Sequence, residues 1–191
     1  MKVTLAAACG FCYGVRRAVE LAGQAEKGTH TLGPIIHNPQ VVGRLAAHGV
    51  SPVDSLDDVD KGAVVLIRSH GVGPDVYEQA DQKELKVIDA TCPHVKKAQQ
   101  DAKNIVEKGE KLIIVGEKSH PEVISISQWG ANHAIIIDGE EEAEKIPFCD
   151  SMGVVVQTTF SQEQFKRIAA ILQRKTNHLD VHMTICTATQ Q

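Results

Sequence analysis

The sequence predicts an α/β protein of two small domains, each a mainly parallel four-stranded sheet flanked by helices. Three observations carry that expectation. Short apolar runs alternate with helical periodicity along the chain, the pattern made when helices cross between parallel strands. Pro39, Pro74, Pro93 and Pro121 each stand where a helix would begin, and proline is favoured in a first turn because its missing N–H has no helical partner there. Residues able to do chemistry recur just past the runs, at the edge where open α/β sheets bind ligands.

Taken in order, Val3–Ala8 is an apolar run, too short for the ~7–15-residue apolar region of a secretory signal and better read as a strand. Val15, Ala18, Val19 and Ala22 follow the i, i+3, i+4, i+7 spacing of an amphipathic helix. Thr29–Leu32 is the second strand, and Pro39 opens a helix that Gly49 stops. Ala63–Ile67 and Lys86–Asp89 are the third and fourth strands, with Pro74 opening a helix between them. Pro93 starts the next helix and Gly109 ends it, before a strand at Lys111–Val115. Pro121 opens another, and Ala134–Asp138 is a sixth strand. The acidic "GEEEAEK", Gly139 to Lys145, reads as a solvated helix face. Gly153–Gln157 precedes a capping box of Ser161 with Gln164 and a helix carrying Phe165, Ile168, Ala169 and Leu172. Asp180–Ile185 is the last strand. Eight strands in 191 residues divide into two units, residues 1–91 and 92–185.

Composition narrows the function classes. A hydrophobic fraction of 42% with 23% charged residues is that of a soluble globular chain, and no run is long enough to span a membrane. A net charge of -4 argues against nucleic acid as partner, and an aromatic content of 4% against a base-stacking surface. Five cysteines, an odd number without a secretion signal, point to metal-binding or catalytic thiols rather than disulfides.

The residues past the strands are specific in kind. Cys9 and Cys12 follow the first, His37 in "GPIIHNP" the second, His70 in "RSHGVGP" the third and Cys92 in "DATCPHV" the fourth. In the second half "GEKSHPEV" supplies His120 and Glu122, "VVVQTTFS" supplies Thr158 and Thr159, and "HMTICTAT" supplies Cys186. Only the strand ending at Asp138 lacks such a set. Three thiolates from separate strand ends suit zinc or an iron–sulfur cluster, and a set of three leaves a coordination position open, as in catalytic rather than structural sites. His37, His70 and His120, with helix N-termini, suit an anion, and Glu122 suits proton donation. His48, His94, His133, His178, His182 and Cys149 are read as structural.

The ordered motifs "GFCYGVRRAVELA", "GPIIHNPQVV", "RSHGV", "DATCPHV", "HPEV", "QTTFS" and "ICTAT" together resemble the 4-hydroxy-3-methylbut-2-enyl diphosphate reductase family, the last enzymes of the non-mevalonate isoprenoid pathway. The resemblance spans Lys2 to Gln191. It implies a 4Fe-4S cluster bound by Cys12, Cys92 and Cys186, and a two-electron, two-proton removal of the substrate hydroxyl that yields isopentenyl and dimethylallyl diphosphates. It implies diphosphate binding by His37, His70 and His120, and it assigns Glu122 and Thr158 to the hydroxyl and to proton delivery. It further implies a cytoplasmic enzyme fed by an electron donor such as ferredoxin or flavodoxin. Family members continue into a third α/β domain, so residues 186–191 are expected to be its truncated start and the chain alone to be inactive. Two other readings compete. A zinc hydrolase or deaminase would use the His120-x-Glu122 and Cys9-x-x-Cys12 patterns, although the deaminase signature places its cysteines after the histidine. A non-catalytic iron–sulfur redox sensor would need the cysteines but not Glu122, Thr158 and three histidines.

Overall fold

The computed structural model describes residues 3–4 and 10–189, so most of the expected strand Val3–Ala8, and Cys9, lie outside the described residues. The chain builds two sheets in succession. The first contains β1 (His30–Leu32), β2 (Ser51–Val53), β3 (Val64–Ile67) and β4 (Lys86–Asp89), and the second β5 (Lys111–Val115), β6 (Ile135–Ile137), β7 (Cys149–Val156) and β8 (Thr176–His182). Their spatial orders are β2-β1-β3-β4 and β6-β5-β7-β8, and all neighbouring strands pair parallel. The two halves therefore repeat one topology. The α/β architecture of two four-stranded parallel sheets is the one the sequence predicts.

Helices cover both faces of each sheet because the central strands alternate their side chains. Leu66 joins a core with Ala18 and Ala22 of α1 (Tyr13–Gln24) and Val41 and Leu45 of α2 (Pro39–Ala47). Val65, one residue earlier, faces Ala80 of α3 (Pro74–Gln82). In the second sheet Leu112 and Ile114 pack on Ala98, Ala102 and Ile105 of α4 (Pro93–Glu107) and on Val123 and Ile126 of α5 (Pro121–Trp129). Ile113 and Val115 face the opposite layer, with Ala143 of α6 (Glu140–Glu144) and Phe165 and Ile168 of α7 (Gln162–Leu172). Side chains of this size each contribute about 1.5–3 kcal/mol when fully buried, so the central strands of the two sheets anchor everything built at their ends.

All four prolines occupy the first turn of their helices, and Gly49 and Gly109 follow α2 and α4 with φ of 90° and 75°, as the C-terminal stops require. The capping box is half formed. Ser161 accepts from the Gln164 N–H, while the Gln164 side chain donates to the Asp138 carbonyl instead. Three strands depart most from expectation, the others by at most a residue at either end. β2 was not foreseen, because its three residues include Pro52 and lack an apolar run; as an edge strand it tolerates the missing donor. β7 begins four residues early at Cys149, since an alternating exposed start gives no apolar signal. β8 ends at His182, so Thr184 and Cys186 lie beyond the ladder. There Thr184 takes over from a strand residue: its hydroxyl accepts from the Val156 N–H and donates to the Val156 carbonyl. Among the described residues no helix is long and apolar enough to cross a membrane.

Candidate active site

The shared topology puts the chemistry at matching places. In each sheet the order reverses between two central strands, β1 and β3 or β5 and β7, and ligands gather outside the carboxyl ends at such a switch point. His37 follows β1 and His70 follows β3; His120 and Glu122 follow β5, and Thr158 follows β7. Cys92 and Cys186 occupy the corresponding place after the fourth strand of each sheet. Cys12, Cys92 and His120 are the N-cap residues of α1, α4 and α5. Three helix N-termini, with unpaired N–H groups and positive dipole ends, therefore carry site residues, which favours thiolates and anions.

A continuous set of hydrogen bonds ties these loops together. The Ser69 hydroxyl donates to the Ile35 carbonyl at 3.2 Å, joining the His37 loop to the His70 loop, and the Cys92 N–H donates to the Ser69 carbonyl at 2.9 Å. The Ser125 hydroxyl lies 3.0 Å from the His70 carbonyl and 2.9 Å from the Glu122 carbonyl, and it accepts from Gln99 of α4 at 3.2 Å. Thr158 donates twice to the Glu122 carboxylate, from its N–H at 2.6 Å and its hydroxyl at 2.9 Å. The Cys186 N–H then donates to the Thr158 carbonyl at 2.8 Å. Ser69, Ser125 and Gln99 are buried and hold the site across both sheets. No local sequence signal marks them, because apart from the Ser125–Glu122 contact their side-chain partners lie 26 to 55 residues away.

Cys12, Cys92, Cys186, Glu122, Thr158 and His70 line one cavity of 110 Å³. His94, read from the sequence as structural, shares its wall. A Cβ on Gly14 would sit 2.6 Å from the Cys92 Sγ, so only glycine leaves room for that sulfur beside α1. Burial pushes the Cys92 thiol up; the His94 and Val95 N–H groups at the start of α4 pull it down, and the neighbouring Cys12 and Cys186 raise it again. Glu122 is 2% exposed. Burial raises its pKa, opposed by the two hydrogen bonds from Thr158, so this carboxyl keeps a proton to higher pH than an exposed glutamate.

The three histidines adjoin this cavity as a compact group. Ring centroids are 4.4 Å apart for His37 and His70, 5.8 Å for His37 and His120 and 5.5 Å for His70 and His120, with one nitrogen of each within 4.8 Å of the others. Burial, then His37, His120 and Arg68, push His70 down to about 3. Burial, then His37, lowers His120, with Glu117 opposing and Arg68 adding to the fall. The tautomer of His120 follows from one contact: its Nδ1 accepts the Glu122 backbone N–H at 3.2 Å. An amide can only donate, so Nδ1 carries the lone pair and the ring proton sits on Nε2. His120 is thereby set as a neutral donor, suited to phosphate oxygens rather than to a metal. By long-range ¹⁵N NMR at neutral pH, His120 is expected as the neutral Nε2–H form and His70 as neutral; an imidazolium signal from His120 would refute the assignment.

The remaining residues read as structural are placed as follows. His48 bonds the Arg44 carbonyl, His182 lies between Asp101 and Asp180, and Cys149 packs against the core of the second sheet. His133 and His178 use backbone N–H groups in a turn and at a strand start.

The family profile described as LytB protein matches residues 3–191. The chain belongs to the LytB family. This LytB chain is 42% identical over 195 residues to the 4-hydroxy-3-methylbut-2-enyl diphosphate reductase of Alkaliphilus oremlandii, covering 100% of this chain and 70% of that protein. It is 43% identical to the reductase of the same name from Pelobacter propionicus, covering 99% and 68%. Among solved structures, the E-1-hydroxy-2-methyl-but-2-enyl-4-diphosphate reductase of Plasmodium falciparum superposes with a TM-score of 0.89 at 30% identity, covering 95% of this chain and 59% of that one. A structure of (E)-4-hydroxy-3-methyl-but-2-enyl diphosphate reductase, the terminal enzyme of the non-mevalonate pathway, gives a TM-score of 0.83 at 40% identity, with 95% of this chain and 66% of that one covered. The LytB chain thus spans from about three-fifths to about seven-tenths of the length of these relatives.

Proposed function

We propose that this protein is an iron–sulfur reductase that converts 4-hydroxy-3-methylbut-2-enyl diphosphate to isopentenyl and dimethylallyl diphosphates. The observation that carries the reading is the buried Glu122–Thr158 pair in the wall of a cavity that Cys12, Cys92 and Cys186 share, with three imidazoles adjoining it. The reaction cleaves the substrate's C–O bond, consumes two electrons and two protons, and releases the oxygen as water.

The donor set fits a cluster better than one zinc ion. Zinc holds each thiolate at about 2.3 Å, which places sulfurs about 4 Å apart. Among the described residues, the three imidazoles reach within 4.8 Å of one another, whereas the three thiols form no such group. Wider spacing suits several iron atoms held by cysteine sulfur. Cys12, Cys92 and Cys186 would hold a 4Fe-4S cluster, which when bound supplies the electrons and, with three protein ligands, an iron open to the substrate hydroxyl.

The chain's own residues do the rest. His120 offers its Nε2 proton to the diphosphate from a fixed tautomer, and His37 and His70 complete that group. The Thr158 hydroxyl is held against Glu122 and orients the substrate hydroxyl toward it. Glu122, buried and favouring its proton, delivers it to the leaving oxygen. Electrons reach the site from a one-electron carrier protein such as ferredoxin or flavodoxin. The deaminase reading requires His120 as a metal ligand, and its Nδ1 contact with Glu122 opposes that. A sensor has no use for the buried Glu122–Thr158 pair.

The test is turnover without oxygen. The full-length protein, with its iron–sulfur content restored and a low-potential dye as reductant, is expected to convert the substrate to the two five-carbon diphosphates. Iron-loaded protein that leaves the substrate unchanged would reject the reading.

A further inference from the structure

Beside the histidine group lies a cation that the reading above leaves without a task. Arg68 follows β3, two residues before His70, and is partly buried. Its Nε is buried with no hydrogen-bond partner. Among the described residues no carboxylate comes within 4.0 Å of its guanidinium: Arg68 enters none of the ion pairs. Asp54 lines the same 320 Å³ cavity but stays beyond that distance. Gly33 suits the arrangement: its φ of +70° would strain any other residue, and the guanidinium lies so close that a Cβ there would come within 2.7 Å of the Arg68 Nη1 unless that group moved.

An arginine partly withdrawn from water is favoured when paired, since even partial desolvation of a charge is costly without a partner. Here the fold makes room for the charge and leaves it uncompensated, as happens when a group awaits a ligand. The charge lies near the histidines: the cavity it lines is also walled by Gly71 and Pro121, the residues that follow His70 and His120, and it is among the causes that lower both rings. With those two rings held toward the neutral form, the imidazoles donate hydrogen bonds but bring little positive charge to a polyanion.

We propose that Arg68 is a positioning residue that supplies the permanent positive charge of the diphosphate pocket, acting from the cavity that adjoins His70 and His120. This deepens the substrate reading and rests on it. Arginine stays charged at any pH that the protein tolerates, so the pocket attracts a polyanion without first taking up a proton. Coulombic attraction scales with ligand charge; the contribution of Arg68 should therefore be greater for diphosphate than for monophosphate. The location also predicts an inverse relation between binding and stability. Removing an unpaired, partly buried charge should leave the ligand-free fold as stable or more so, while weakening its hold on anions.

The test uses the full-length protein and inorganic diphosphate and monophosphate as probes, with affinities from calorimetry and melting temperatures without ligand. Arg68→Gln is expected to weaken diphosphate binding about tenfold or more and monophosphate binding less. Arg68→Lys should recover most of the loss. Arg68→Met should bind as weakly as Arg68→Gln without melting lower than the unaltered protein. Arg174→Gln, at an exposed residue paired with Glu144, serves as control and should bind both anions normally. Equal losses for the two anions, no recovery with lysine, or a lower melting temperature for Arg68→Met would each show a packing role and overturn the proposal. Failure of the unaltered protein to bind diphosphate would instead overturn the substrate reading on which it rests.

Discussion

Glu122→Gln in the full-length enzyme is expected to lower turnover about 10²–10⁴-fold, the usual contribution of a positioned general acid, while leaving iron content unchanged. The size follows from its surroundings. Glu122 is almost wholly buried, both of its oxygens are engaged by Thr158, and burial favours its protonated form. Glutamine keeps the shape and one oxygen acceptor but has no proton to give. The same substitution should change the pH profile. Because the folded pKa is raised, Glu122 holds its proton below that value and loses it as pH rises through it, so the alkaline limb of activity set by this group should disappear in the variant. The stability it contributes has the same sign: fully present below the ordinary glutamate range and lost as pH rises through the raised value. Near-normal turnover would remove Glu122 from proton delivery.

Cys92→Ser is expected to abolish both turnover and the visible absorption of the iron–sulfur chromophore, whereas Cys149→Ser should retain both. The two cysteines are both partly buried, so burial does not distinguish them. Position does. Cys92 caps α4, lines the cavity with Cys12 and Cys186, and has its neighbour Gly14 reduced to a hydrogen so that its sulfur fits. Cys149 starts β7 and packs on the core of the second sheet. A hydroxyl is a poor replacement for a thiolate on iron, and in the proposed set of three ligands none would be spare. Equal chromophore in both variants would take Cys92 out of the ligand set.

What could be read in advance separates along physical lines. Pro39, Pro74, Pro93 and Pro121 announce helix starts through local sterics, and Leu112 to Val115 announce a buried strand through an unbroken apolar run, so the central strands of both sheets were legible. Ser51–Val53 was not, because an edge strand of three residues containing proline has neither signal. The same split holds at the site. Cys12, His37, His70, Cys92, His120, Glu122, Thr158 and Cys186 stood out because each follows an apolar run in the sequence and carries reactive chemistry. The place of His94 in the cavity wall was missed, since a residue two positions into a helix looks like any exposed histidine. Ser69, Ser125 and Gln99 were invisible because their importance lies in contacts between segments distant in sequence. Arg68 sat inside a quoted motif, yet its lack of a partner is a property of the fold alone.

The central claim is that three thiols from separate loops hold an iron–sulfur cluster beside a buried proton donor. Iron, acid-labile sulfide and zinc content of the protein purified without oxygen tests it most directly. The account predicts about four iron and about four sulfide per chain with little zinc; one zinc per chain without sulfide would contradict it.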